Sequence, residues 1–218
     1  MRSIVAAIVL SLLFGGVGHA AERAGSAFFV SHTGALLTTA SVLGDGCQSL
    51  TIENPYIGRR DAFPIAVDHA AGHAIVGTEV RPSRQTTIAN KFDLWTGDMV
   101  MAFGYADAVG FDVKLGSVTS TAGGGDGSTL AAQQFQTSLA VEAGFGGGPV
   151  VDRRGLLLGL IVAEPAGGFR LDDGAMLKAA LDKAGIAYDT ADTAPDAAVS
   201  DTINAAKHYV VKLRCVHE

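Results

Sequence analysis

Positive charge is scarce in this chain. Lys and Arg number 16 against 22 Asp and Glu in 218 residues, a net charge of −6. That balance excludes the basic face on which nucleic-acid binding depends. Long apolar runs are scarce too. The one at the N-terminus, Ile4 to Phe14, is shorter than the roughly 20 residues a membrane-spanning helix needs, and no later stretch is long or apolar enough to span. Tryptophan occurs once and cysteine twice, at Cys47 and Cys215, so at most one intramolecular disulfide is available. There is no phosphate loop and no dinucleotide fingerprint. The cluster Gly123–Gly125 lacks the Lys and the strand-to-helix setting that a phosphate cradle requires. His69 and His73 are spaced H-x3-H, but Ala70 stands where a zincin has its Glu, so two separately satisfied or exposed histidines are expected and no metal site. No cofactor is implied.

Glycine, by contrast, is abundant at 28 residues, and short β-branched runs recur between turn signals. The runs are Ala27–Val30, Leu36–Thr39, Ser49–Ile52, Phe63–Val67, Ala74–Val80, Met99–Phe103, Phe111–Thr119 and Leu130–Ser138. Strands at this spacing predict an all-β sandwich or barrel. The clearest hairpin is Pro149–Val151, a turn Asp152-Arg153-Arg154-Gly155, then Leu156–Ala163, with Asp opening and Gly closing the turn. Asp172 or Asp173 is placed to cap a helix from Gly174 to Lys183, with Ala175, Met176, Ala179 and Leu181 as its apolar face and Gly185 as its stop. Residues 188–198 read as a solvated linker. Ser200 is placed to cap a short helix, Asp201 to Lys207, followed by a strand over Tyr209–Cys215. The N-terminus has one positive charge, the short apolar run and small residues ending Gly18-His19-Ala20. That pattern reads as an export signal over residues 1–20, which implies a periplasmic or secreted product with no membrane span.

Four fragments, in order, resemble the trypsin-like serine proteases of bacteria, the HtrA group in particular. They are "GSAFFVSHTGALLTTASVL" (25–43), "VDHAAGHAIVGTEV" (67–80), "TGDMVMAFGYADAVGFDVKLGSVTS" (96–120) and "FQTSLAVEAGFGGGPVVDRRGLLLGLIVAE" (135–164). The resemblance implies two six-stranded antiparallel β-barrels with a cleft between them, the first over residues 21–95 and the second, with its helix, over 96–187. It also implies a catalytic triad, whose hydroxyl attacks, whose imidazole moves the proton and whose carboxylate orients the imidazole. All three positions are vacant. Ser41 stands where the family has its histidine, Gly72 where it has its aspartate, and Gly146 where it has its serine.

Nearby groups offer no replacement. Strand alternation turns His73 away from the cleft, Asp68 lies roughly 13 Å upstream along an extended strand, and Ser138 lies on the strand leading into the loop. Binding and backbone alone leave roughly 10³–10⁴ of rate over water, against a loss on the order of 10⁶. By the same resemblance, the amides of Gly144 and Gly146 are those of an oxyanion hole; the loop is either open to a carbonyl or carboxylate, or collapsed. Glu142 and Glu164 would lie near the cleft as solvated carboxylates.

The resemblance also leaves a gap. The family has a helix and a strand before the Gly25 segment, and this chain has no room for them there. "VSDTINAAKHYVVKLRC" (199–215) resembles the missing pair. This implies a circular permutation in which residues 199–218 complete the first barrel, since an incomplete barrel leaves unpaired edges. It would bring Cys47 and Cys215 within bonding reach. Three functions stay open: an exported pseudoprotease that binds peptide or protein partners without cutting them, a serine-type hydrolase with non-standard residues, and a purely structural envelope subunit.

Overall fold

A computed structural model describes residues 22–91, 94–106, 110–121, 135–164 and 168–217; the export signal and Gly123–Gly125 lie outside them. In chain order the elements are β1 (Glu22–Phe29), β2 (Ala35–Thr39), α1 (Ala40–Leu43), β3 (Ser49–Asn54), β4 (Gly58–Asp68), β5 (His73–Gly77), β6 (Thr87–Ala89), β7 (Met99–Ala106), β8 (Gly110–Thr121) and β9 (Phe135–Thr137). They continue with β10 (Pro149–Asp152), β11 (Leu156–Ala163), β12 (Phe169–Asp173), α2 (Gly174–Lys183), β13 (Asp189–Ala191), α3 (Val199–Tyr209) and β14 (Val210–Val216). Of the expected strand Leu130–Ser138, residues 130–134 are outside the described set. No helix among the described residues is long and apolar enough to cross a membrane.

The first barrel closes in the order β1-β14-β3-β4-β5-β2. The C-terminal strand therefore lies between β1 and β3, antiparallel to both, with Glu22 opposite Val216 and Ser49 opposite the same residue from the other side. Alternation explains why it fits. Val211, Leu213 and Cys215 are fully buried, while Lys212, Arg214 and Val216 are only half-buried. Each buried Val or Leu is worth roughly 1.5–3 kcal/mol relative to exposure, so β14 is part of the core and not an appendage. Cys47 and Cys215 form a disulfide with their Cα atoms 5.6 Å apart, as the permutation implied.

The second half is an eight-stranded sheet. Its path is β13-β6-β11-β10-β7-β8-β9, with β12 pairing beside β11. It is wider than the six strands the resemblance implied, because β6 and β13 add in parallel next to β11. Strand β6 came from the segment assigned to the first barrel and β13 from the segment read as a linker. The β10–β11 hairpin forms as its turn residues dictate. Asp152 Oδ1 accepts from the Arg154 and Leu156 amides, both at 2.9 Å, and Gly155 closes the turn at φ 84°.

Helix α2 runs over the expected residues, and Asp173, not Asp172, caps it by accepting from the Ala175 and Met176 amides. Its buried face is Gly174, Leu177 and Leu181, whereas Met176 is exposed. Helix α3 starts two residues earlier than expected. Ala198 is its N-cap and makes no side-chain cap bond, so Ser200 lies inside the first turn.

Candidate functional site

The three chain segments that carry Ser41, Gly72 and Gly146 meet at the junction of the two halves. Thr39 ends β2, and Ser41 follows it in α1. Gly72 closes the turn between β4 and β5, and Gly146 lies in the loop before β10. The Ala40 amide donates to the Gly72 carbonyl at 2.8 Å, and Thr39 Oγ1 donates to the same oxygen at 3.1 Å. Thr39 Oγ1 is also 3.2 Å from Ser41 Oγ. A Cβ built on Gly146 would stand 3.6 Å from Thr39 Cγ2 and 3.6 Å from Ala163 Cβ. Buried Thr39 thus touches the surroundings of all three positions, a role nothing in its sequence context announced.

Gly72 is confined in both backbone and surroundings. Its φ is 86°, a conformation that L side chains rarely adopt. A Cβ there would meet Arg170 Nη2 and Val162 Cγ1, each at 2.8 Å. Arg170 is held in that place from two sides, donating to the Ala71 carbonyl and to Asp172 Oδ1. Asp172 is fully buried, and its other oxygen lies 3.3 Å from His73 Nδ1. A guanidinium, a carboxylate and an imidazole therefore occupy the ground beside Gly72.

His73 does not turn away from this junction, as alternation implied. Gly72 belongs to the turn and β5 begins only at His73, so period-two geometry does not extend across that boundary. Burial pushes the His73 imidazole below its ordinary pKa and the Arg170 cation adds to this, while the Asp68 carboxylate opposes it. His69 faces Asp45 at 4.0 Å instead, so the two histidines engage different carboxylates. Asp68 is spent on its own turn. Its Oδ1 accepts from the Ala71 amide at 2.8 Å, which holds its pKa below the usual carboxylate value. Ser138 Oγ accepts from the Ser117 amide at 3.0 Å, in the β8–β9 pairing.

The loop carrying Gly144 and Gly146 is pinned from both halves. The Ser26 amide donates to the Gly146 carbonyl at 2.9 Å, and Ser26 Oγ donates to the Gly144 carbonyl at 2.6 Å. Gly144 has φ 96°, and a Cβ on it would collide with the Tyr105 carbonyl. Glu142 is tied to Lys114 at 2.8 Å, and that ammonium also reaches Asp112 at 3.0 Å and lies over the Phe145 ring at 5.7 Å. Glu142 is therefore a tether as well as a solvated carboxylate; Glu164 is exposed. The amides of Gly144 and Gly146 donate to no acceptor among the described residues. Beside the loop is a cavity of about 690 Å³, lined by apolar Leu139, Ile161 and Phe169 and by polar Gln136, Arg170 and Asp173.

The sequence and the fold have counterparts. The chain is 30% identical over 149 residues to the uncharacterized protein y4bJ of Sinorhizobium fredii, a match covering 66% of this chain and 22% of that protein. Its fold is similar to that of the HtrA-type protease AlgW solved with a decapeptide, with a TM-score of 0.62 and 23% identity over 73% of this chain and 51% of that one. It is similar also to a serine endoprotease from Yersinia pestis, with a TM-score of 0.62 and 20% identity over 73% of this chain and 57% of that one. The chain thus spans about half the length of these solved relatives and less than a quarter of y4bJ. Residues 25–160 match the family described as a trypsin-like peptidase domain, and to that family the chain belongs.

Proposed function

We propose that this protein is an exported, non-cleaving member of the family, which holds extended peptide or protein segments at the junction of its two halves. The observation that carries the reading is at Gly72. A left-handed backbone, with Arg170 and Val162 each 2.8 Å from the place of a Cβ, disfavours a carboxylate at this position to orient a base. Gly146 offers no nucleophile, and Ser41 offers a hydroxyl in place of an imidazole. Without a side chain at residue 146, covalent attack has no agent at that position, and the imidazole nearby, His73, is already engaged with Asp172. Binding asks for less: amides at Gly144 and Gly146 that have no partner among the described residues, and a cavity of mixed polar and apolar lining beside them, accept a backbone carbonyl and a side chain. The AlgW structure with a decapeptide supports a peptide as the occupant. The N-terminal leader pattern supports export to the periplasm or beyond.

The test pairs two measurements on the purified protein. A fluorophosphonate probe should leave it unlabelled, and a fluorescent decapeptide library should yield saturable binders that are recovered uncut. Stoichiometric labelling or cleavage would make it a hydrolase. If no peptide binds and crosslinks in the native envelope lie only outside the junction, it is a structural subunit.

A further inference from the structure

The first barrel draws its strands from two distant parts of the chain. Strands β1 to β5 lie between Glu22 and Gly77, and the sixth, β14, lies at Val210–Val216, beyond the whole second sheet. Without β14, the β1 edge from Glu22 to Phe28 and the β3 edge from Ser49 to Glu53 would both be open. The core under them would be open as well, since Val210, Val211, Leu213 and Cys215 are all fully buried in place. Two unpaired edges over an apolar floor make a strand acceptor.

We propose that the space between β1 and β3 is a strand-binding groove whose occupant is the chain's own segment 199–217, and that barrel one is completed last, by the docking of that segment. Several contacts make the segment a specific ligand and not merely an apolar strand. Asn54 Nδ2 donates to the Val210 carbonyl at 3.2 Å, the Tyr56 ring stacks on His208 with centroids 3.8 Å apart, and Arg214 pairs with Glu22. Helix α3 docks with it through buried Thr202, Ala206 and Tyr209. The tether formed by residues 192–198 keeps the segment at high local concentration, and the Cys47–Cys215 bond seals it once docked. Synthesis runs from the N-terminus, so β1–β5 wait as an open sheet until β14, at Val210–Val216, has been made. For the exported chain proposed above, that order keeps the first barrel open until the whole second sheet and β14 have been made.

The experiment uses the full chain carrying Val211→Asp, Leu213→Asp and Cys215→Ser, which blocks its own segment from docking. A synthetic peptide of residues 199–217 with the natural sequence is then added. The variant alone should be digested by protease across residues 22–77. The peptide should restore resistance saturably, at one peptide per chain, and should become disulfide-linked to Cys47 through its own Cys215. The same peptide carrying both Asp substitutions should do neither, and the native chain, whose groove is filled and sealed, should not take up the peptide. Resistance of the unaided variant would show that β1–β5 stand without β14 and would overturn the proposal. Failure of the natural peptide to restore resistance would overturn it equally.

Discussion

At residue 72 a Cβ would stand 2.8 Å from both Arg170 Nη2 and Val162 Cγ1, on a backbone with φ 86°. At residue 146 the nearest atoms to a Cβ are at 3.6 Å, which is ordinary van der Waals contact. The two glycines therefore respond differently to the side chains the family carries. Gly72→Asp is expected to lower unfolding free energy by about 1–3 kcal/mol, the cost of a strained backbone position. Gly146→Ser should change it by less than about 1 kcal/mol. Urea unfolding measures both, and equal losses would mean that the Gly72 slot is not special. His73 gives a second handle. Burial depresses its folded pKa below the unfolded value of about 6.5, so the unfolded chain binds more protons near that pH. The stability this contributes is fully present above the unfolded pKa and is lost as pH falls through the folded pKa. Unfolding free energy should decline from pH 7.5 toward pH 5, and His73→Gln should flatten that decline. Asp68, whose pKa is also depressed, acts in a separate window, below its ordinary 3.8. A decline of the same size in the His73→Gln protein would assign the proton uptake elsewhere.

Among the elements, the two longer helices make a matched pair. Asp173 caps α2 by accepting from the amides of Ala175 and Met176 at 2.9 and 3.0 Å, while Ala198 stands at the equivalent place in α3 with no side-chain acceptor. Asp173→Ala should cost about 1 kcal/mol, and Ala198→Ser should gain a comparable amount, because Ala198 already has the extended backbone of an N-cap, φ −66° and ψ 145°. Chemical denaturation of the two variants should move the midpoint in opposite directions. These helices also show where sequence reading succeeds. Helix α2 was legible because its cap and stop are local signals, but of its expected face only Leu181 is buried: Met176 and Ala179 are exposed, and Leu177 faces the core. The β10–β11 hairpin was legible for the same reason. Strands β6 and β13 were not, since each has three residues and owes its existence to parallel partners far away in sequence. At the site, the meeting of the segments that carry Ser41, Gly72 and Gly146 could be expected from segment order alone. The Arg170–Asp172–His73 cluster could not, because His73 and Asp172 are 99 residues apart and only the packing of β12 against the β4–β5 turn joins them. The one local hint was Arg170 and Asp172 two apart on a strand, which puts them on one face.

On the scale of the whole molecule, one covalent bond spans most of the chain. Cys47 and Cys215 are 168 residues apart, and their bond ties the segment before β3 to the strand that closes the first barrel. A crosslink over so long a loop removes much of the freedom of the unfolded chain, about 5 kcal/mol in the chain-entropy account, with measured bonds commonly giving less. Closure itself does not depend on the bond, because β14 is paired on both sides and its inward side chains are buried. The double variant Cys47→Ser, Cys215→Ser should therefore still fold cooperatively, with unchanged far-UV circular dichroism, and lose about 2–5 kcal/mol of unfolding free energy. Adding reductant to the natural protein should reproduce that loss, and should have no effect on the variant. A double variant that cannot fold would show that the bond, and not the strand pairing, closes the barrel. Unchanged stability would show instead that the denatured chain is already confined enough without the bond for closing the loop to remove nothing further.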